Sequence, residues 1–241
     1  MRSARYAAFV AVAALALSGC AKQSPAVAAY VGDVTYTQHT VDAIFDEARD
    51  AFDDKQKKLA AENAPGGGPE RPSVPITRRH VVDLLLTLDL GRRAAAERNL
   101  PVTGERVPAE LVESVLGVPA ATRYVSLYQD WYQVYGALQD GIAPAQVSDD
   151  GLMTVYQALV EADAIDDGLS VPVVREQFGN GGFAGGPLAI SDALHAQAEK
   201  AGAVVNPKYL PAAAPMIASA NDRSFAYRMP YLQDGTVVAT R

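Results

Sequence analysis

The chain contains one cysteine, and its position denies a disulfide to whatever fold follows. Cys20 closes the string Leu17-Ser18-Gly19-Cys20, after a short basic stretch with Arg2 and Arg5 and an apolar run from Tyr6 to Leu17. Basic, then apolar, then small residues is the layout of a secretory leader. The apolar run is about a dozen residues, against about 20 for a helix that spans a bilayer, so cleavage is expected rather than a permanent span. Residues 1–19 are therefore expected to be a signal peptide. The string at its end has the form of a lipobox: Ser18 and Gly19 let the chain enter a peptidase extended, and the Cys20 thiol takes a diacylglyceryl group. Two or three acyl chains, palmitate among them, at about 0.8 kcal/mol per buried methylene hold a protein stably on a bilayer. The expected location is the extracytoplasmic face of the cell membrane. With that thiol consumed, the secreted domain has to be held together by its core alone.

The composition is suited to that demand. Hydrophobic residues make up 49% of the chain, enough for a real core, and alanine is abundant while aromatics are only 7%. Alanine enters a helix without losing side-chain entropy, so a mostly α fold is expected. The net charge is −7, and removing Arg2 and Arg5 with the leader takes it to −9. A surface that acidic, with no run of Lys or Arg, excludes nucleic acid as a partner. It also excludes electrostatic adhesion to anionic lipid, which leaves the lipid on Cys20 as the route to the membrane.

Breakers divide the mature chain. Residues 20–26 form a tether. Val27 to Val31 and Val34 to Tyr36 have extended character about a turn at Gly32-Asp33, and Thr37 is placed to cap a helix from Gln38. Val41, Ile44, Phe45, Ala48 and Phe52 give that helix one apolar face, whereas its later part is charged. Residues 64–75, with Pro-Gly-Gly-Gly-Pro, are expected to be a flexible loop. A helix from about Thr77 to Asn99 carries Val81, Val82, Leu84, Leu85, Leu86 and Leu88, a face broad enough for packing on more than one side. Short helices are expected over Pro108 to Leu116 and near Val173 to Phe178, and longer ones over Ala120 to Gln139 and from Ser148 to about Ala164. A second glycine-rich loop covers 179–186, and Pro187 is read as the start of a helix that ends near Gly202. Val204-Val205 reads as a short strand. Residues 211–241 are expected to be irregular, because Pro211, Pro215 and Pro230 interrupt them.

Little in the sequence assembles into catalysis. His39, His80 and His195 lie at no spacing that makes a metal site on one element. Gly168-Leu169-Ser170-Val171-Pro172 lacks the second glycine of a nucleophile elbow. The acid pairs Asp149-Asp150 and Asp166-Asp167 read as helix-start and turn charges. Asp83 and Asp89 are spaced to pair with Arg79 or Arg93. No catalytic residue, metal or cofactor is assigned. The remaining candidate is an aromatic stripe, Tyr124, Tyr128, Trp131 and Tyr135, whose steps of four, three and four place it on one helix face. Such a stripe is either core or the wall of a groove that grips peptide.

Two further strings suggest a family. Ala28-Ala29-Tyr30-Val31-Gly32-Asp33-Val34-Thr35-Tyr36-Thr37 precedes Val41-Asp42, and Ala203-Val204-Val205-Asn206-Pro207-Lys208-Tyr209 follows the late helix. Together they resemble the SurA N-terminal-domain family. Tyr36 stands where the family usually has a branched aliphatic residue, and Lys208 where arginine is commoner. The resemblance implies a helical domain over 27–210 whose first strand pairs with Val204-Val205, joining the N- and C-terminal segments. It implies chaperone-like binding of unfolded or newly exported polypeptide, and it brings no catalytic residue. No segment offers the strand-rich pattern of a parvulin isomerase domain. The alternatives are an accessory lipoprotein with one dedicated envelope partner and, less favoured, an enzyme whose site is assembled from scattered residues.

The lipidation reading is tested by labelling cells with a palmitate analogue. Label is expected on the wild-type chain and absent from Cys20→Ala, which should also run as the uncleaved precursor; equal labelling would sink it.

Overall fold

The computed structural model describes residues 26–62, 72–178, 182–220 and 223–233. The expected signal peptide, Cys20 and nearly all of the tether lie outside the described residues, as do residues 64–71 of the first expected loop and 179–181 of the second.

The domain is mostly helical, with small antiparallel sheets of two and three strands. Val27–Val31 (β1) and Val34–Thr37 (β2) form a hairpin whose turn residue Gly32 has φ +58°, a conformation that costs glycine least. The Gly32 N–H is held by the carbonyl of Ala201, 3.0 Å away. Gln38–Glu62 (α1) follows, with the Thr40 N–H bonding the Thr37 hydroxyl at 3.1 Å. Val41, Ile44, Ala48 and Phe52 are its buried residues, so its last turns leave the core.

Arg78–Glu97 (α2) is the central element. Twelve of its 20 residues are buried, on every side, because it packs against α1, against Arg123–Gly141 (α4), against Gly182–Ala201 (α7) and against strand Ala212–Ala220 (β4). Its start is a capping box: the Thr77 hydroxyl accepts the His80 N–H, and the His80 ring accepts the Thr77 N–H. Gly91 is where α4 comes closest. A Cβ there would sit 2.7 Å from Trp131 Cζ3 and 2.9 Å from Val134 Cγ1.

Ala109–Leu116 (α3) ends at Gly117 in the left-handed region. Asp149–Val160 (α5), capped by Ser148, and Val171–Phe178 (α6) complete the helices together with α7. Helix α7 begins at Gly182, five residues before the proline expected to open it, so residues 182–186 of the expected loop are helical. Tertiary contact overrides the glycine content here. The Gly185 carbonyl accepts the Ala145 N–H at 2.9 Å, and a Cβ on Gly185 would stand 2.9 Å from the Ala145 oxygen.

Val204–Val205 (β3) pairs antiparallel with β1, Ala29 opposite Val205 and Tyr30 opposite Val204, in the order β2-β1-β3. Asn206 fastens the junction twice, its N–H to the Ala28 carbonyl at 2.9 Å and its Nδ2 to the Val27 carbonyl at 3.2 Å. It also caps the 3-10 turn Pro207–Tyr209, whose Tyr209 is buried. Tyr36 has a use of its own: its hydroxyl donates to Asp89 Oδ2 at 3.0 Å, and Arg93 Nε binds the other oxygen at 2.8 Å.

The largest departure from expectation lies at the C-terminal end. Residues 212–220 and 223–232 are not irregular but the strands of a long antiparallel hairpin, β4 and Arg223–Leu232 (β5), wedged between helices; residues 221–222 and 234–241 of that expected segment lie outside the described residues. The prolines are tolerated because a two-stranded ribbon is all edge, and alternate residues face away from the partner strand, where no N–H is needed. Pro215 opposes Arg228 and Pro230 opposes Ala213. Their outward carbonyls are taken by helix side chains, Pro215 by Trp131 Nε1 at 2.6 Å and Pro230 by Ser191 Oγ at 2.7 Å. The Ala213 N–H binds Asp83 Oδ1 at 3.2 Å, and the Tyr231 carbonyl lies 2.9 Å from His195 Nδ1. Asp83, 1% exposed, does not pair with Arg79; its second oxygen takes Arg228 of β5.

Gly91→Ala should destabilise the domain by about 1–3 kcal/mol through overpacking against Trp131 and Val134. Denaturant midpoints measure this, and an unchanged midpoint would mean that the α2–α4 approach is looser than described.

Candidate functional site

The aromatic stripe is core. Tyr124, Tyr128, Trp131 and Tyr135 are 4%, 1%, 1% and 8% exposed, so they do not form an open groove wall. The reason is the hairpin: α4 is covered by α2 on one side, and its Trp131 is bonded to β4. Trp131 and Tyr135 stack at 5.8 Å between ring centroids, tilted. Tyr124 and Tyr128 differ from the other two in one respect, since they also border a cavity.

That cavity, about 330 Å³, opens between α2, α3, the end of α5 and β5. Ile76, Val115, Leu116 and Pro215 supply apolar wall, and Tyr124, Tyr128 and Tyr227 bring three phenols to it. His80, Asp83 and Arg228 complete one side. A second cavity of about 450 Å³ continues along α5 and the hairpin, lined by Arg79, Met153, Gln157 and Pro230. The two share Ala158, Glu161 and Arg228, so they form one cleft with an apolar, phenolic end and a polar end.

The polar groups of the phenolic end are short of acceptors. The Tyr128 hydroxyl is buried and has no hydrogen-bond partner among the described residues. An unsatisfied buried hydroxyl costs about 1–3 kcal/mol, so its retention in a core otherwise well paired is unusual. Burial, and then the neighbouring phenols, push its pKa well above the ordinary tyrosine value, which keeps the proton on oxygen. Burial does the same for Tyr124, and burial followed by Tyr135 for Tyr227. Both Asp83 oxygens are occupied, by Ala213 N–H and by Arg228.

His80 and Arg228 feel a positive surrounding. Burial first, then Arg228 and Arg79, lower His80 to about 4, so it is neutral at pH 7. Its Nδ1 accepts from the Thr77 N–H at 3.3 Å, which places the single proton on Nε2. Burial first, then Arg79, lowers Arg228 to about 10, which still leaves it cationic. Arg79 sends Nε to the Pro211 carbonyl at 3.1 Å. Glu161 is exposed at the mouth.

None of this is a catalytic constellation. Among the described residues no three His, Cys, Asp or Glu side chains are placed to hold a metal ion. No helix among them is long and apolar enough to cross a membrane. Sequence reasoning passed over Asp83 and Arg228 as a pair because they lie 145 positions apart. It set His80 aside with His39 and His195, which lie at no spacing that makes a metal site on one element. Comparison with known protein families, curated proteins and solved structures found no match.

Acid stability follows from His80. Its pKa is near 4 folded and near 6.5 when unfolded, so the unfolded chain binds the proton first as pH falls. The contribution is absent above pH 6.5, and stability is lost progressively from there toward pH 4. His80→Gln, which keeps a side chain suited to the capping box, should lose less stability between pH 7 and pH 5 than the wild type. Chemical denaturation at the two pH values tests it, and equal losses would assign the acid sensitivity to the carboxylates.

Proposed function

We propose that this protein is a lipid-anchored extracytoplasmic binding protein of the SurA N-terminal-domain type, which holds segments of unfolded or newly exported polypeptide without catalysis. The observation that carries the reading is the closure of the domain by the two strings that resemble that family. β1 from the first pairs with β3 from the second, and Asn206 clasps the backbone at Val27 and Ala28. Lys208 Nζ reaches across to Gln38 Oε1 at 2.8 Å, joining the late string to the first turn of α1.

The binding surface in this reading is the cleft along α5 and the hairpin, in place of the buried stripe. Its length, with an apolar end and a polar end, suits an extended segment that buries one side chain and leaves its backbone among polar groups. The burial of Tyr124, Tyr128, Trp131 and Tyr135 also favours the second reading, an accessory lipoprotein for one dedicated envelope partner. The exposed large apolar side chains among the described residues, Val34, Leu59, Val102, Leu111, Val173 and Phe183, come from six different segments, so no single element presents a broad adhesive face.

Light scattering of a thermally unfolding reporter, with residues 21–241 added in increasing ratio, separates the two. Suppressed aggregation that is lost in Ala162→Trp, which fills the cleft from its half-buried rim, is the outcome expected for general polypeptide binding. No suppression by folded protein at several-fold excess would sink that reading and leave the dedicated partner.

A further inference from the structure

The phenolic end of the cleft has a chemistry more specific than a greasy pocket for any side chain. It is a partly open cavity, apolar on one side, with a surplus of hydrogen-bond donors at one wall. Tyr128 offers a buried hydroxyl with no partner. Neutral His80 carries its proton on Nε2, for which no partner occurs among the described residues. Arg228 has five N–H donors, of which only one nitrogen is engaged, by Asp83. The acceptors that might absorb these donors are already used. The Asp83 oxygens already hold Ala213 and Arg228, the Pro215 carbonyl holds Trp131, and Glu161 stands out in solvent at the mouth. The missing partner is therefore an oxygen acceptor that arrives with the occupant.

The charge of that acceptor can also be read. Arg228 lines the cavity together with His80, and its charge, with that of Arg79 next to the ring on α2, disfavours protonation of the imidazole. An anion set against Arg228 can take the guanidinium nitrogens that Asp83 leaves open, and such charge-assisted hydrogen bonds are the strong ones. The volume, about 330 Å³, lies at the small end of the range for ligand pockets, which limits the occupant to one apolar group and its polar end.

We propose that this cavity binds an apolar carboxylic acid, with the hydrocarbon or aryl group between Ile76, Leu116 and the phenols, and the carboxylate taken by Arg228 and the unpartnered donors beside it. The same chemistry has two sources, a free small acid or the terminal carboxylate of a polypeptide that ends in an apolar residue. The site does not depend on general polypeptide holding. Acid binding without aggregation suppression sinks that function alone, and suppression without acid binding sinks this proposal alone.

Trp131, the single tryptophan, reports on the site through its bond to Pro215 in the cavity wall. The mature lipidated chain in lipid nanodiscs, with empty nanodiscs as blank, is titrated with 4-phenylbutyrate, 4-phenylbutanol and 4-phenylbutylamine while Trp131 emission is followed. A saturable change is expected with the acid, at an affinity about tenfold or more above the alcohol and amine, the size of a charged hydrogen bond. Tyr128→Phe should keep the fold and weaken the acid by about tenfold, and Ala162→Phe, which fills the cavity, should abolish the response. A peptide ending in leucine is compared as free acid and as amide. If the free-acid peptide binds more tightly than 4-phenylbutyrate and the amide does not bind, the source is a chain terminus; if neither peptide binds, it is a small acid. Equal affinity for acid, alcohol and amine overturns the proposal. So does acid binding that is indifferent to both variants, or no saturable response to the acid.

Discussion

A two-stranded ribbon set among helices has two open edges and no neighbouring strand to close either of them. The rest of this molecule is arranged around that problem. Backbone groups facing away from the partner strand have to find side-chain partners or remain unpaired in the core, and the latter is expensive. Asp83 from α2, Trp131 from α4, and Ser191 and His195 from α7 each reach one of these groups, and Arg79 holds the Pro211 carbonyl just ahead of β4. The hairpin therefore docks in one register only. A slip of one residue would turn its prolines inward and break several of these bonds together. The burial of a carboxylate at Asp83 has the same origin: it serves a strand N–H, and Arg228 from the opposite strand neutralises it.

Docking of the hairpin also explains why α4 presents no aromatic face to solvent. With β4 across it and Gly91 admitting the Trp131 ring from beneath, the stripe is enclosed. Space remains beside it between α3, the end of α5 and β5, and the phenols line it because the helical repeat carries Tyr124 and Tyr128 to that end. Binding capacity here follows from imperfect packing between elements rather than from any motif.

What could be read in advance was local. Helix positions followed from apolar spacing, the cap at Thr37 from residue type, and the β1–β3 pairing from the resemblance of two short strings to one family. Asp89 and Arg93, four apart on a helix, pair as their spacing suggests. What could not be read depends on distance along the chain. Nothing near Asp83 points to Arg228, and nothing near Pro215 says that an indole will take its carbonyl. Prolines were weighed as breakers because their compatibility with an outward-facing ribbon position is visible only once the ribbon's neighbours are known. The same blindness applied to the glycines ahead of Pro187, which are helical because Ala145 packs against them.

One feature of the closure bears on how the domain comes into being. β1 lies at the centre of its sheet, and its far-side partner begins at Val204, with Asn206 bonding Val27 across 179 positions. Contacts of such sequence separation form late and slowly, since the chain between them must be ordered before they can stabilise it. A chain emerging in N-to-C order therefore carries its first strand half-paired until after the last α-helix, α7, has arrived. During that interval the β1–β2 hairpin has one edge exposed, and the domain is at its most vulnerable to proteases and to mispairing with another copy.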